Sequence, residues 1–83
     1  MEAEILPYGK IESVEQLGRL IRKKRKQAGV DQATVAGLAG VGVRFLSELE
    51  RGKPTVELGR ALRVLERLGL QVWIAPRGQK PGR

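Results

Sequence analysis

The 83 residues hold sixteen Lys and Arg against nine Asp and Glu, a net charge of +7, and neither histidine nor cysteine. A chain this short makes one small domain that buries only about 60% of its unfolded surface, so dimerisation would help it. With no His or Cys there is no Ser-His-Asp triad, no imidazole or thiolate metal site and no disulfide framework. The carboxylates also lack metal-loop spacing, so the composition argues against an enzyme and implies no cofactor.

Ser13, with Gln16 three residues on, has the S-x-x-Q form of a capping box. Val14 opens an apolar pattern through Leu17, Ile21 and Ala28, which predicts a first helix over Val14 to Ala28. Gly29 stops it. Asp31 is an N-cap for a second helix from Gln32, which carries Val35, Ala36 and Ala39 toward the core and ends at Gly40. A third helix starts at Gly42 or Val43, buries Leu46 and Leu49 and closes at Gly52, with Lys53 and Pro54 as breakers. Thr55 is read as the cap of a fourth helix, with Leu58, Ala61, Leu62, Leu65 and Leu68 as its apolar stripe up to Gly69.

From Leu70 to Ala75 the run LQVWIA alternates Leu70, Val72 and Ile74 against Gln71 and Trp73, and is read as a strand. A lone strand leaves its amides unpaired, so it needs either the Ala3 to Leu6 segment or the same strand of a second copy; the alternative is a strand-like tail packed loosely on the fourth helix. The expected organisation is an N-terminal arm (1–12), a helical domain (13–69), a dimerisation strand (70–76) and a disordered basic tail (77–83). No run of ~18 apolar residues occurs. The opening MEAEILPYG is acidic where a signal peptide would be basic, so the cytoplasm is the expected location.

The positive charge predicts attraction to polyanions. It is concentrated in Arg22 to Lys26, in Arg60, Arg63 and Arg67, and in the tail at Arg77, Lys80 and Arg83. A run such as RKKRK is more often a solvated helix face than a reading surface, and its place in the fold must decide.

The stretch QATVAGLAGVGVRFLSELERG, Gln32 to Gly52, contains Gly37, Gly40, Gly42 and Gly52. Each costs roughly 1 kcal/mol relative to alanine inside a helix, so the stretch is not built as one rod. Two short helices joined by a tight turn cross closely only with a small residue at the contact and a turn residue free of Cβ strain; Ala36 and Gly40 fit those roles. Counting Gln32 as the first position, alanine falls fifth (Ala36) and glycine ninth (Gly40). Aliphatic residues fall fourth, tenth, fifteenth and eighteenth (Val35, Val41, Leu46, Leu49). This pattern resembles the helix-turn-helix of the phage-repressor family, the Xre and Cro class, and the likeness extends over Leu17 to Ile74. It gives Gly37 no role.

The resemblance implies a mostly α fold, a four-to-five-helix repressor-like domain with the C-terminal strand pairing across a homodimer. It implies an ion pair between Arg25 and Glu50 that fixes the angle between helices. A recognition helix laid in the major groove of double-stranded DNA would present Val43, Arg44, Ser47 and Glu48 to base edges. Arg44 is the first choice, because its fork can bind guanine O6 and N7 for ~1–3 kcal/mol of discrimination. Val43 suits a thymine methyl, Ser47 a base or phosphate, and Glu48 either a cytosine amino group or the orientation of Arg44. Phe45 is assigned to packing rather than to base stacking. Gln32 matches the family's phosphate-contacting glutamine, and Arg51, Lys53, Arg22, Lys23 and Lys26 are further phosphate candidates.

More narrowly, GVRFLSELERGKP, the arginine-rich fourth helix and a strand after LGL resemble antitoxins of the Hip type, homodimeric repressors that bind a kinase-like toxin. That likeness implies autoregulation from a palindromic operator and a nucleoid-associated state on DNA. Leu70, Val72, Trp73 and Ile74 would form the dimer seam. Arg60, Arg63 and Arg67 would be either a solvated face or a dock for the toxin. Two other readings stand beside it: a stand-alone regulator, and a protein-interaction module with vestigial DNA binding, suggested by the sparse polar chemistry of GVGV.

Overall fold

The computed structural model describes residues 9–79, so the Ala3 to Leu6 segment, the rest of the first eight residues, and Lys80 to Arg83 lie outside the described residues. Four helices follow one another: α1 (Val14–Gln27), α2 (Gln32–Ala39), α3 (Val43–Glu50) and α4 (Leu58–Arg67). Their starts are chemical. The Ser13 hydroxyl accepts from the Gln16 amide at 3.0 Å, and Gln16 Oε1 accepts in return from the Glu12 amide. Asp31 Oδ1 accepts from the Thr34 amide at 2.9 Å, which holds the Asp31 carboxyl below its ordinary range. α1 stops at Gln27, one residue short of the expected end, with Ala28 as its C-cap.

The fourth helix begins later than its sequence suggests. Pro54 and Thr55 sit in a turn closed by the Val56 amide on the Lys53 carbonyl, and the cap passes to Glu57, whose Oε1 accepts from the Arg60 amide at 3.1 Å. The buried stripe is also rotated. Ala61, Val64 and Leu65 face the core, while Leu58 and Leu62 are exposed. Both stripes fit a 3.6-residue period, so spacing alone left the helix free to roll.

Ile21, Val35, Ala36, Ala39, Leu46, Leu49, Ala61, Val64 and Leu65 form one continuous core, with Leu17, Val41, Phe45, Leu68 and Leu70 packed at its edge. The α1 backbone lies directly on the end of α3. A Cβ on Gly18 would stand 2.6 Å from the Glu50 carbonyl oxygen and closer still to that of Leu49. Only glycine permits that approach.

The expected strand is absent among the described residues. Leu70 donates its amide to Leu65 as part of the end of α4, and the backbone from Gln71 to Ala75 forms no ladder. Alternation makes a strand only when a neighbouring strand supplies hydrogen bonds and one face is covered. Here neither face is covered: Val72, Trp73 and Ile74 are 57%, 60% and 94% exposed. Within the expected disordered tail, the Gln79 amide closes a turn onto the Pro76 carbonyl.

Candidate nucleic-acid interface

Between α2 and α3 the chain turns at Gly40, whose φ of 71° and ψ of 34° lie in the left-handed region. The Val41 amide donates to the Ala36 carbonyl at 2.9 Å, and Val41 tucks against the core. Arg63 completes the turn from α4. Its Nε donates to the Ala39 carbonyl at 3.0 Å and its Nη2 to the Gly40 carbonyl at 3.2 Å, supplying partners to carbonyls that a helix end leaves open.

The bend turns Leu46, Leu49 and Glu50 of α3 inward and leaves Arg44, Ser47, Glu48 and Arg51 along the opposite side, at the i, i+3, i+4, i+7 spacing of one helix face. The Arg44 side chain is 91% exposed. Its Nε donates to Glu48 Oε2 at 3.4 Å, and Glu48 Oε1 meets the Lys53 ammonium at 3.4 Å. Burial pushes the Glu48 carboxyl up, but the hydrogen bonds and charges of Lys53 and Arg44 outweigh it and hold the group below its ordinary range. Arg51 Nη1 donates to the Ser47 hydroxyl at 2.7 Å, so Arg51 lies along the same stripe. Val43 is exposed at the helix start. Phe45 packs at the core edge beneath the Arg60 guanidinium, 5.9 Å from the ring centroid.

Behind the stripe is a buried ionic cluster. Arg25 Nε and Nη2 donate to the two Glu50 oxygens at 2.6 and 2.9 Å, and Arg25 Nη1 donates to the Val30 carbonyl. Gln32 Nε2 adds a third bond to Glu50 at 3.0 Å, which ties the first residue of α2 to α1 and α3. Burial alone would raise the Glu50 carboxyl; the hydrogen bonds from Arg25 and Gln32, with the charges of Arg25 and Arg22, bring it below its ordinary range. The first amides of α2, which have no partner inside the helix, lie beside this cluster.

The helix-turn-helix domain model matches residues 16–72. The chain belongs to the helix-turn-helix family. It is 41% identical over 71 residues, 86% of this chain and 93% of the relative, to the uncharacterized HTH-type transcriptional regulator y4mF of Sinorhizobium fredii. Among solved structures its fold is that of HipB in the HipB-O4 20mer complex, with a TM-score of 0.77 and 24% identity, covering 84% of this chain and 99% of that one. The HipA-HipB-O2-O3 complex gives a TM-score of 0.76 at 24% identity, with the same coverage of both chains. The chain is thus a DNA-binding transcriptional regulator of the helix-turn-helix type.

Within this regulator the cations divide by location. Arg22, Lys23 and Lys26 lie exposed on the outer side of α1, joined by Arg19, which the sequence reading left out. The expected stripe of Arg60, Arg63 and Arg67 is exposed along α4, but its members are engaged differently. Arg63 is committed to the turn carbonyls, Arg60 pairs with the Glu57 carboxylate at 3.5 Å, and Arg67 is exposed in the last turn of α4. The guanidinium of Arg63 is long enough to cross to α2, a reach that spacing along α4 could not reveal. Gly18 was likewise missed, because a lone glycine within a helix pattern signals close approach only after its neighbour is known.

Proposed function

We propose that this regulator is a sequence-specific repressor that binds a palindromic operator as a homodimer. One observation carries the reading: the left-handed bend at Gly40 presents Arg44 fully exposed on the outer side of a short helix, anchored behind by the Arg25–Glu50–Gln32 cluster. Val43, Arg44, Ser47 and Glu48 face the base edges, while Gln32, Arg51, Lys53, Arg22, Lys23 and Lys26 supply phosphate contacts. Two copies reading inverted half-sites about one helical turn apart, ~34 Å, give the contact area that one module lacks. The exposed apolar run Val72, Trp73 and Ile74 supports the dimer contact, without a strand being required of it.

Selection of bound fragments from random DNA tests this. A palindrome is expected. Arg44→Ala should relax the preference at one base pair per half-site, and Lys23→Ala, on the outer side of α1, should weaken all sequences alike. Binding that falls steeply with salt but shows no preference would refute it.

The fold shared with HipB supports a finer role, that of the antitoxin of a kinase-like toxin that autoregulates its operon. Reversing Arg60 and Arg67 together should then weaken capture of the toxin encoded beside the gene while sparing operator binding. A stand-alone regulator is the second reading. It is favoured by the 41% identity to a relative named only as a regulator and by the commitment of Arg63 to the turn. It predicts no such neighbouring gene.

A further inference from the structure

The sequence leaves two roles open for Glu48, reader of a cytosine amino group or support for Arg44. We infer that Glu48 is a positioning residue that determines specificity: clamped by Lys53, it aims the terminal edge of Arg44 at guanine. This rests on the operator-binding reading above.

Three features of the geometry carry it. The bond from Arg44 to Glu48 is made through Nε, leaving both Nη groups free. Those are the ends a guanidinium uses to bind guanine O6 and N7 together, so the contact orients the fork without consuming it. Second, the carboxylate is engaged at both oxygens, Oε2 by Arg44 and Oε1 by Lys53, so swinging toward a cytosine amino group means giving up one of those cations. Third, Glu48 stands in the middle of this chain of contacts and is its most withdrawn member, its side chain 20% exposed beside 48% for Lys53 and 91% for Arg44. A long flexible side chain on a convex surface would otherwise sample many rotamers, and most present a single N–H or none to a base.

The same arrangement discourages unspecific binding. In the free protein one carboxylate offsets charge on two cations that face the duplex, which lowers their attraction to phosphates at large. At the correct base pair Arg44 keeps its bond to Glu48 and gains guanine. At a wrong pair it gains nothing, and a carboxylate is left near the acceptor atoms of the groove floor.

Glu48→Ala, Glu48→Gln, Arg44→Ala and the Arg44→Ala/Glu48→Ala double variant should be compared in base-resolved selection and in salt titrations with unrelated duplex. Glu48→Ala is expected to relax the same base pair as Arg44→Ala, with guanine preference there falling ~5-fold or more. The double variant should relax it no further. Glu48→Gln keeps an oxygen acceptor for Nε but no charge. It should therefore retain the guanine preference while binding unrelated duplex several-fold more tightly and with a steeper salt dependence. Relaxation by Glu48→Ala at a different base pair, or unchanged preference, would overturn the positioning role even if Arg44→Ala behaves as expected. If Arg44→Ala leaves every position unchanged, the base-reading role of Arg44 fails, and this role falls with it.

Discussion

The Arg25–Glu50 and Arg44–Glu48 pairs do opposite things in this small domain. Arg25 and Glu50 are 8% and 2% exposed, doubly bonded and joined by Gln32. Arg44 and Glu48 meet once, at 3.4 Å, with the arginine almost wholly in solvent. The chemistry is the same and the dielectric is not. Buried, the pair has lost its water and can be satisfied only by its partners, so it fixes how three helices meet. Exposed, the pair is worth little to stability, and its guanidinium remains available to another acceptor.

The sharpest way to break this contrast is Arg25→Ala, which leaves Glu50 buried without its main counter-charge. A loss of about 3–5 kcal/mol is expected in urea unfolding, a large part of the total for a domain of this size. Arg44→Ala should leave the urea midpoint unchanged while altering DNA preference. Equal effects of the two substitutions on stability would refute the distinction.

Acid provides a second comparison. Glu50 has a folded pKa below its ordinary 4.5, so the unfolded chain binds more protons in that range. Stability from this pair is present above about pH 4.5 and is lost as the pH falls through the folded value. In Arg25→Ala the raising effect of burial dominates, and the decline on acidification should disappear or reverse. Unfolding curves collected across the glutamate range decide this.

Along α4, Arg63→Ala should cost about 1–2 kcal/mol because two turn carbonyls lose their donor, and operator affinity should fall with it. Reversing Arg60 and Arg67 should not lower stability in this way. The smallest effect belongs to Gly37, exposed in α2 with open space where a Cβ would stand. Gly37→Ala should stabilise by up to ~1 kcal/mol in thermal melts, in contrast to Gly18→Ala, which meets backbone and should destabilise.

Much of this was legible because it is local. Ser13 and Asp31 cap the helices they precede, Gly40 makes the bend, and Leu46 and Leu49 mark the inner side of α3. Each follows from backbone sterics or from a period counted within a few residues. The roll of α4, the reach of Arg63 to the turn and the contact of Gly18 with α3 link residues twenty or more positions apart, where periodicity has no information. LQVWIA has the composition of a strand, but a strand exists only through a neighbour.

What the sequence by itself determined is therefore the bend and the two short helices it joins, since a left-handed glycine between capped segments has few alternatives. The family resemblance already implied the Arg25–Glu50 pair, but only the tertiary structure decided that the pair is buried with Gln32 and that Arg63 is drawn across to the turn. An arginine reads identically in the chain wherever it stands, and its role is set by the water that packing removes or leaves.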